Sequence, residues 1–159
     1  MEKVFTAIEE NNVKAIENLI EQNTKFNIAN LDGDTPLHVV VKQNRNDIFK
    51  LFLNLKLPLN IPNNDERTPL FLTADHNSKA FCFALIKLGA DLNVRDMHGH
   101  TALMYACKTG AFDVAEQLVQ NGAKQDILSN QNETAIQIAV KNGHQSIVNM
   151  LTKNAKKSA

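Results

Sequence analysis

Thr35-Pro36-Leu37-His38 returns as Thr68-Pro69-Leu70-Phe71, as Thr101-Ala102-Leu103-Met104 and as Thr134-Ala135-Ile136-Gln137, each copy 33 residues after the last. A period of this length, held without insertion or deletion, marks a stack of repeats, because one unit buries its apolar side only against its neighbours. Each residue of the stretch has a local reason to be there. Threonine is a good helix N-cap, since its oxygen accepts from an orphan N–H of the first turn. Proline suits the next position, where φ is already helical and no donor is needed. Leucine then faces the core. His38 is expected to close a local hydrogen bond with the Thr35 hydroxyl. Phe71, Met104 and Gln137 replace it in later copies, so the repeat carries no histidine chemistry.

Other positions keep the same step. Asn11, Asn44, Asn77, Gly110 and Gly143 form a series of residues that tolerate left-handed backbone, as a helix C-cap requires. Ala7, Val40, Thr73, Ala106 and Ala139 are small or β-branched, which suits a tight helix contact. Asn27, Asn60, Asn93 and Asp126 form a third series. Because the first two series include residues 7 and 11, the repeat reaches back to the N-terminus.

The period divides the chain into an N-terminal cap repeat (1–28), internal repeats at 29–61, 62–94 and 95–127, and a C-terminal cap repeat with a short tail (128–159). In the first cap Val4, Phe5 and Ile8 make one helical stripe and Val13, Ile16, Leu19 and Ile20 the next, with Glu9, Glu10 and Glu17 on the solvent side. The second helices are expected to carry Ile48, Phe49, Leu51, Phe52 and Leu53, ended by Pro58; Phe81, Cys82, Leu85 and Ile86, ended by Gly89; and Val114, Ala115, Leu118 and Val119, ended by Gly122. Ile147, Val148, Met150 and Leu151 pack inward in the last cap, and the tail from Lys153 is expected to fray. Asn121-Gly122 and Asn142-Gly143 read as hairpin turns in isolation. The period makes them helix ends.

Gly89-Ala90-Asp91-Leu92-Asn93, followed by Asp96, Gly99 and Thr101-Ala102-Leu103, resembles the ankyrin repeat, and the resemblance covers nearly the whole chain. It implies one domain over 1–159: an all-α repeat solenoid of stacked helix-turn-helix units with short β-hairpin loops. Lys56 and Pro58 depart from the family's Gly-Ala-Asp segment, and Glu66 replaces the hairpin glycine in the third repeat, so the loop geometry at those two places is expected to differ.

Composition narrows function. Lysine plus arginine equals aspartate plus glutamate at 17 each, so there is no general attraction to nucleic acid or anionic membrane. No signal peptide or membrane-length apolar run is present, and the chain is expected to be intracellular and self-contained. Cys82 and Cys107 read as buried core residues of a reducing compartment. Cys107 shares its register with Val41, Ala74 and Val140, on the inward side of the first helix. There is no nucleophile elbow, no His-Glu-x-x-His, no phosphate loop and no Cys-x-x-Cys pair, so no enzyme and no cofactor is expected. Asp96, His98 and His100 alternate on the fourth tip in a pattern that three metal ligands can use, but Asp96 and Gly99 are repeat residues in any case, so a polar hairpin is the preferred reading and no metal is expected.

The resemblance implies a binding surface on the concave side, made of the hairpin tips and first helices. On this chain that surface comprises Leu31, Asp32, Asp34 and Lys42 from the second repeat, and Asp65, Arg67 and Asp75 from the third. The fourth supplies Met97, His98, His100, Tyr105 and Lys108, and the fifth Glu133 and Lys141. Gln43, Asn64, His76, Asn130 and Gln131 border it. Tyr105 is the sole tyrosine, standing where other repeats have Val39, Leu72 and Ile138; it either packs between helices or anchors a partner. Asp32, Asp34, Asp65 and Glu66 against Arg67 make the tips of repeats two and three acidic, so a partner protein with a basic segment is expected there. The reading is a monomeric, cytoplasmic, also nuclear, protein-interaction module. The alternative is a regulatory or targeting part of a larger enzyme or complex, such as a kinase-inhibitor-like or ubiquitin-ligase adaptor role. The resemblance further implies that Asn27, Asn60 and Asn93 occupy positions open to asparaginyl hydroxylation.

Overall fold

Each Thr-x-Leu stretch opens a helix. The computed structural model describes residues 2–155, and among them helices alternate in pairs. The first helices are α1 (Glu2–Glu9), α3 (Pro36–Lys42), α5 (Pro69–Leu72), α7 (Ala102–Thr109) and α9 (Ala135–Lys141). The second helices are α2 (Val13–Glu21), α4 (Asn46–Phe52), α6 (Lys79–Lys87), α8 (Phe112–Gln120) and α10 (Gln145–Ala155). First helices pack on first helices along the stack, and second helices follow behind them. The apolar stripes of all five units meet in one continuous core, from Val4 and Ile8 to Ile147 and Leu151.

The threonine caps form as the residues dictate, with one exception. Thr35, Thr101 and Thr134 sit in extended backbone and accept from the N–H three residues on. His38 closes the box at Thr35: its Nδ1 lies 2.8 Å from the Thr35 hydroxyl and accepts from the Thr35 N–H at 3.1 Å. Gln137 Oε1 does the same for Thr134, at 2.8 Å from its N–H. His38 also reaches forward, donating from Nε2 to the Arg67 carbonyl at 2.9 Å, so it ties repeat two to repeat three. Thr68 makes no such bond, and its hydroxyl is the one buried side-chain oxygen or nitrogen without a partner among the described residues. The helix it opens, α5, has only 4 residues. Beyond it the chain continues in tight turns, where Ala74 and Asp75 donate to Phe71 and Leu72, while the Thr73 hydroxyl bonds back to the Leu70 carbonyl at 2.7 Å.

The helix ends follow the sequence series. Asn11, Asn44, Asn77, Gly110 and Gly143 all have positive φ, from 46° to 78°. Asn121 and Asn142 are C-caps with Gly122 and Gly143 beyond them, so these dipeptides end helices. Cys82 and Cys107 are free and buried.

Four expectations change. The loops expected as short β-hairpins close as turns, and no strand occurs among the described residues: each tip makes two backbone bonds within itself and adjacent tips share one, too few to extend a ladder. Helix α4 stops at Phe52, not at Pro58, and the intervening chain turns through Lys56 at φ 29°. Between α4 and α6, where Lys56 and Pro58 replace the usual segment, lies an apolar cavity of about 410 Å³ lined by Phe52, Leu57, Leu59, Leu85 and Leu88. The two helices approach each other less closely there than other second-helix pairs, though Phe49 and Phe81 still stack across the seam at 4.2 Å. Third, Val140 is 60 % exposed although Val41, Ala74 and Cys107 in the same register are buried, because among the described residues no further unit stacks against it. Last, the tail remains helical through Ala155; residues 156–159, part of the segment expected to fray, lie outside the described residues.

Candidate protein-binding face

The tips are built from a position the Thr series does not reveal. Asn30, Asn63, Asp96 and Ser129 stand 33 residues apart, and each turns a side-chain oxygen into its own loop. Asn30 Oδ1 accepts from the N–H of Asp32 and Asp34, and Asn63 Oδ1 from Asp65 and Arg67. Asp96 Oδ1 accepts from His98 and His100, and Ser129 Oγ from Gln131 and Glu133. These are side-chain turns that need only a short acceptor, which is why asparagine, aspartate and serine interchange there. The cross-loop bond is equally regular: Asn30, Asn63, Asp96 and Ser129 donate to the carbonyls of Asp34, Arg67, His100 and Glu133 at 2.8–3.0 Å.

Successive tips are then joined through the backbone. Asn64, Met97 and Asn130 donate to Asp32, Asp65 and His98, at 3.0, 3.2 and 3.0 Å. Asn64 and Asn130 add a side-chain bond to the carbonyls of Leu31 and Met97. This close approach needs glycine opposite: a Cβ on Gly33 would stand 2.5 Å from Asn64 Oδ1. At the one tip where Glu66 replaces glycine, at φ 61°, the facing residue is Met97 instead of asparagine. Four tips therefore present their side chains at fixed spacing.

Repeats three and four share a polar network on this face. Arg67, whose side chain is 19 % exposed, sends Nε to Asp96 Oδ2 at 3.4 Å, and its Nη1 lies 3.8 Å from Asp65. Its guanidinium lies over the Tyr105 ring at 4.6 Å. The Tyr105 hydroxyl donates to Asp75 at 2.8 Å, and burial, then this carboxylate, pushes its pKa up to about 12. The Tyr105 ring sits 6.3 Å from Phe71. Tyr105 thus turns its ring toward the core and its hydroxyl to an exposed carboxylate. Asp96 is fully buried, and the Arg67 guanidinium with two N–H donors supplies the partners a buried carboxylate requires. His100 Nδ1 is 3.8 Å from Asp96; burial lowers the His100 pKa and Asp96 offsets only part of that.

The remaining residues of the expected face fall into two groups. Leu31 (99 % exposed), Met97 (52 %), Asp32, Lys42, Asp65, Asp75, His98, Lys108 and Lys141 are open to solvent. Asp34 is not: it is buried, receiving Lys42 at 3.3 Å and Asn63 Nδ2 at 2.7 Å, so it shapes the loop and offers no charge to a partner. The same Lys pairing recurs at Lys141 and Glu133, 2.9 Å apart. His76 donates to the Lys42 carbonyl at 2.9 Å. Asn60 and Asn93 are also occupied, each accepting from the backbone of the next repeat, at Asp91 and Lys124.

Asp96, His98 and His100 do not converge as ligands. One Asp96 oxygen is held by two backbone N–H groups and the other faces Arg67. Among the described residues no group of three or more His, Cys, Asp or Glu side chains is placed to hold a metal, and no helix is long and apolar enough to cross a membrane.

A search of curated proteins found no match. The family model for ankyrin repeats (3 copies) matches residues 4–96 and again residues 95–159. Ankyrin repeats are, in general, protein–protein interaction modules and typically non-catalytic. With threonine caps, paired helices and joined tips recurring every 33 residues along a chain so matched, the protein belongs to the ankyrin-repeat family.

Proposed function

We propose that this protein is a non-catalytic interaction module that holds a partner protein along its concave side, across the tips and first helices. The observation that carries the reading is the network of Arg67, Tyr105, Asp75 and Asp96, which spans two repeats and is already in place without a partner. Arginine and tyrosine concentrate binding energy at protein contacts. Here their rotamers are fixed by neighbours, so binding orders little and loses little entropy. Leu31 and Met97 project beside them from joined tips. Asp32, Asp65 and Glu66 leave the N-terminal tips acidic, which favours a basic segment of the partner there. The protein acts as a monomer in the cytoplasm, with access to the nucleus, a setting that suits two buried free thiols.

A second reading, the targeting part of a larger enzyme or complex, draws on the uncovered side of α9, where Val140 is exposed and Ile136 half-buried. Val140→Glu distinguishes the two: it releases an assembly that stacks on that end and leaves a tip-bound partner in place.

The test of the first reading is affinity capture from the source cells with partners identified by mass spectrometry. Wild type is compared with Asp65→Lys/Met97→Glu, both exposed, and with Phe83→Glu on the exposed side of α6. A partner lost with the tip variant and kept with Phe83→Glu supports the reading. A partner lost only with Phe83→Glu overturns it. Affinity that does not change when salt is raised removes the basic segment from the proposal.

A further inference from the structure

A cavity opens on the tip face between repeats four and five. It has a volume of about 250 Å³, and its walls include His98, His100, Lys108, Glu133, Ile138 and Lys141. Its charge follows from a break in the repeat pattern. Positions 34, 67, 100 and 133 share one register, and positions 42, 75, 108 and 141 another. Repeats two and five fill the pair with an acid and a lysine, Asp34 with Lys42 and Glu133 with Lys141, and both pairs form. Repeat three reverses the signs with Arg67 and Asp75, and each finds a partner, at Asp96 and Tyr105. Repeat four alone has two bases, His100 and Lys108. Lys108 is exposed and makes no ion pair among the described residues.

The carboxylate that lines the cavity and the one that faces His100 are already committed. Asp96 is buried and held by Arg67 and two backbone N–H groups, and Glu133 is held by Lys141. His98 adds a further donor at the mouth, its ring 5.8 Å from that of His100. Lys108 is close enough to His100 to lower the His100 pKa, which places both on one small surface. The cavity therefore has donors in excess, a floor apolar at Ile138, and no acid of its own to spare.

We propose that this cavity receives a glutamate or aspartate side chain from an acidic segment of the partner protein, which supplies to Lys108 the counter-charge that Asp34 and Glu133 supply within repeats two and five. The proposal rests on the reading of the tip face as the binding surface and names what one part of it recognises. It gives the face two unlike ends, acidic at the tips of repeats two and three and basic at repeats four and five, so a bound segment lies in one direction only.

The test uses defined peptides on the isotope-labelled full chain. N-acetylated tetraglutamate amide and the matching tetraglutamine are titrated at low salt while backbone amides are followed by NMR. Tetraglutamate is expected to shift the amides of His98, His100, Lys108 and Gln131, and tetraglutamine to leave them unmoved. Lys108→Glu, at an exposed site, is expected to weaken tetraglutamate about tenfold or more. Lys50→Glu, the same charge change on α4, leaves it unchanged. Equal shifts from both peptides, shifts scattered over exposed lysines, or equal losses from the two variants overturn the proposal. If it falls while Asp65→Lys/Met97→Glu still releases the cellular partner, the tip-face reading stands without it; if that variant also keeps its partner, both fall.

Discussion

Glu66→Gly is expected to stabilise the protein, although it removes a charged surface residue from a loop. Glu66 has φ 61°, in the left-handed region, at the tip position where Gly33 and Gly99 have φ 75° and 74°. An L residue held there carries a cost of roughly 1–2 kcal/mol that glycine does not. Glycine in turn costs roughly 0.5–1 kcal/mol of chain entropy on folding. Between the mid-values the difference is a gain of about 0.8 kcal/mol, or a rise in Tm of about 2–3 °C for a chain of this size. The facing residue is Met97, so no asparagine side chain competes for the space that the glutamate vacates. The reverse change, Gly33→Ala, adds a Cβ 2.5 Å from Asn64 Oδ1 and 2.7 Å from its backbone nitrogen, and it should cost more than about 1 kcal/mol. Circular dichroism through thermal and urea unfolding measures both. A Glu66→Gly protein no more stable than wild type would show that this loop absorbs the left-handed residue without cost, and the argument from φ would fail.

Thr68→Val should be neutral or stabilising by up to about 1 kcal/mol, because it removes the buried hydroxyl that has no partner. Thr35→Val should cost about 1 kcal/mol or more through its lost cap, and equal urea midpoints for the two variants would refute the contrast. His38 is held neutral chiefly by burial, which lowers its pKa from 6.5. The unfolded chain therefore binds the proton first, so stability is complete above pH 6.5 and falls as pH drops below it. His100 contributes in the same sense. His38→Gln keeps the cap in the manner of Gln137 and should flatten the loss of Tm between neutral and mildly acidic pH; an unchanged slope counts against this assignment. Burial pushes Cys82 and Cys107 up to about 12, so both thiols should resist a disulfide reagent at pH 8 in the native protein and react fully in denaturant. Prompt native labelling would mean that the core opens.

The fold was legible where one residue type answers one local demand. Threonine at an N-cap and asparagine or glycine at positive φ recur at a fixed step, and the helices follow. The tip anchors were as regular but less visible, since Asn63, Asp96 and Ser129 share an acceptor and not a letter. What could not be read was set by partners far along the chain. Asp34 looks like surface charge until Asn63, 29 residues later, closes over it. Thr68 is followed by Pro-Leu just as Thr35 is, yet its hydroxyl finds no partner, and nothing in the stretch itself marks the difference. Val140 is exposed by its place at the end of the stack, which its register with Cys107 does not encode. Tyr105 was ambiguous for a sound reason, as one side chain serves the core with its ring and the surface with its hydroxyl.

The cavity between α4 and α6 has a consequence for how the stack comes apart. In a linear array, order passes from unit to unit only through shared surfaces, and the array melts as one body only while every such surface is strong. Repeat three, whose α6 forms one wall of this cavity, also holds a left-handed glutamate, an uncapped threonine and the shortest helix among the described residues. Cooperativity is thinnest there. Heat or denaturant should divide the protein at that seam into an N-terminal block of two units and a C-terminal block built on repeats four and five, and hydrogen exchange should find the backbone of α5 opening while the amides of α7 and α8 are still closed.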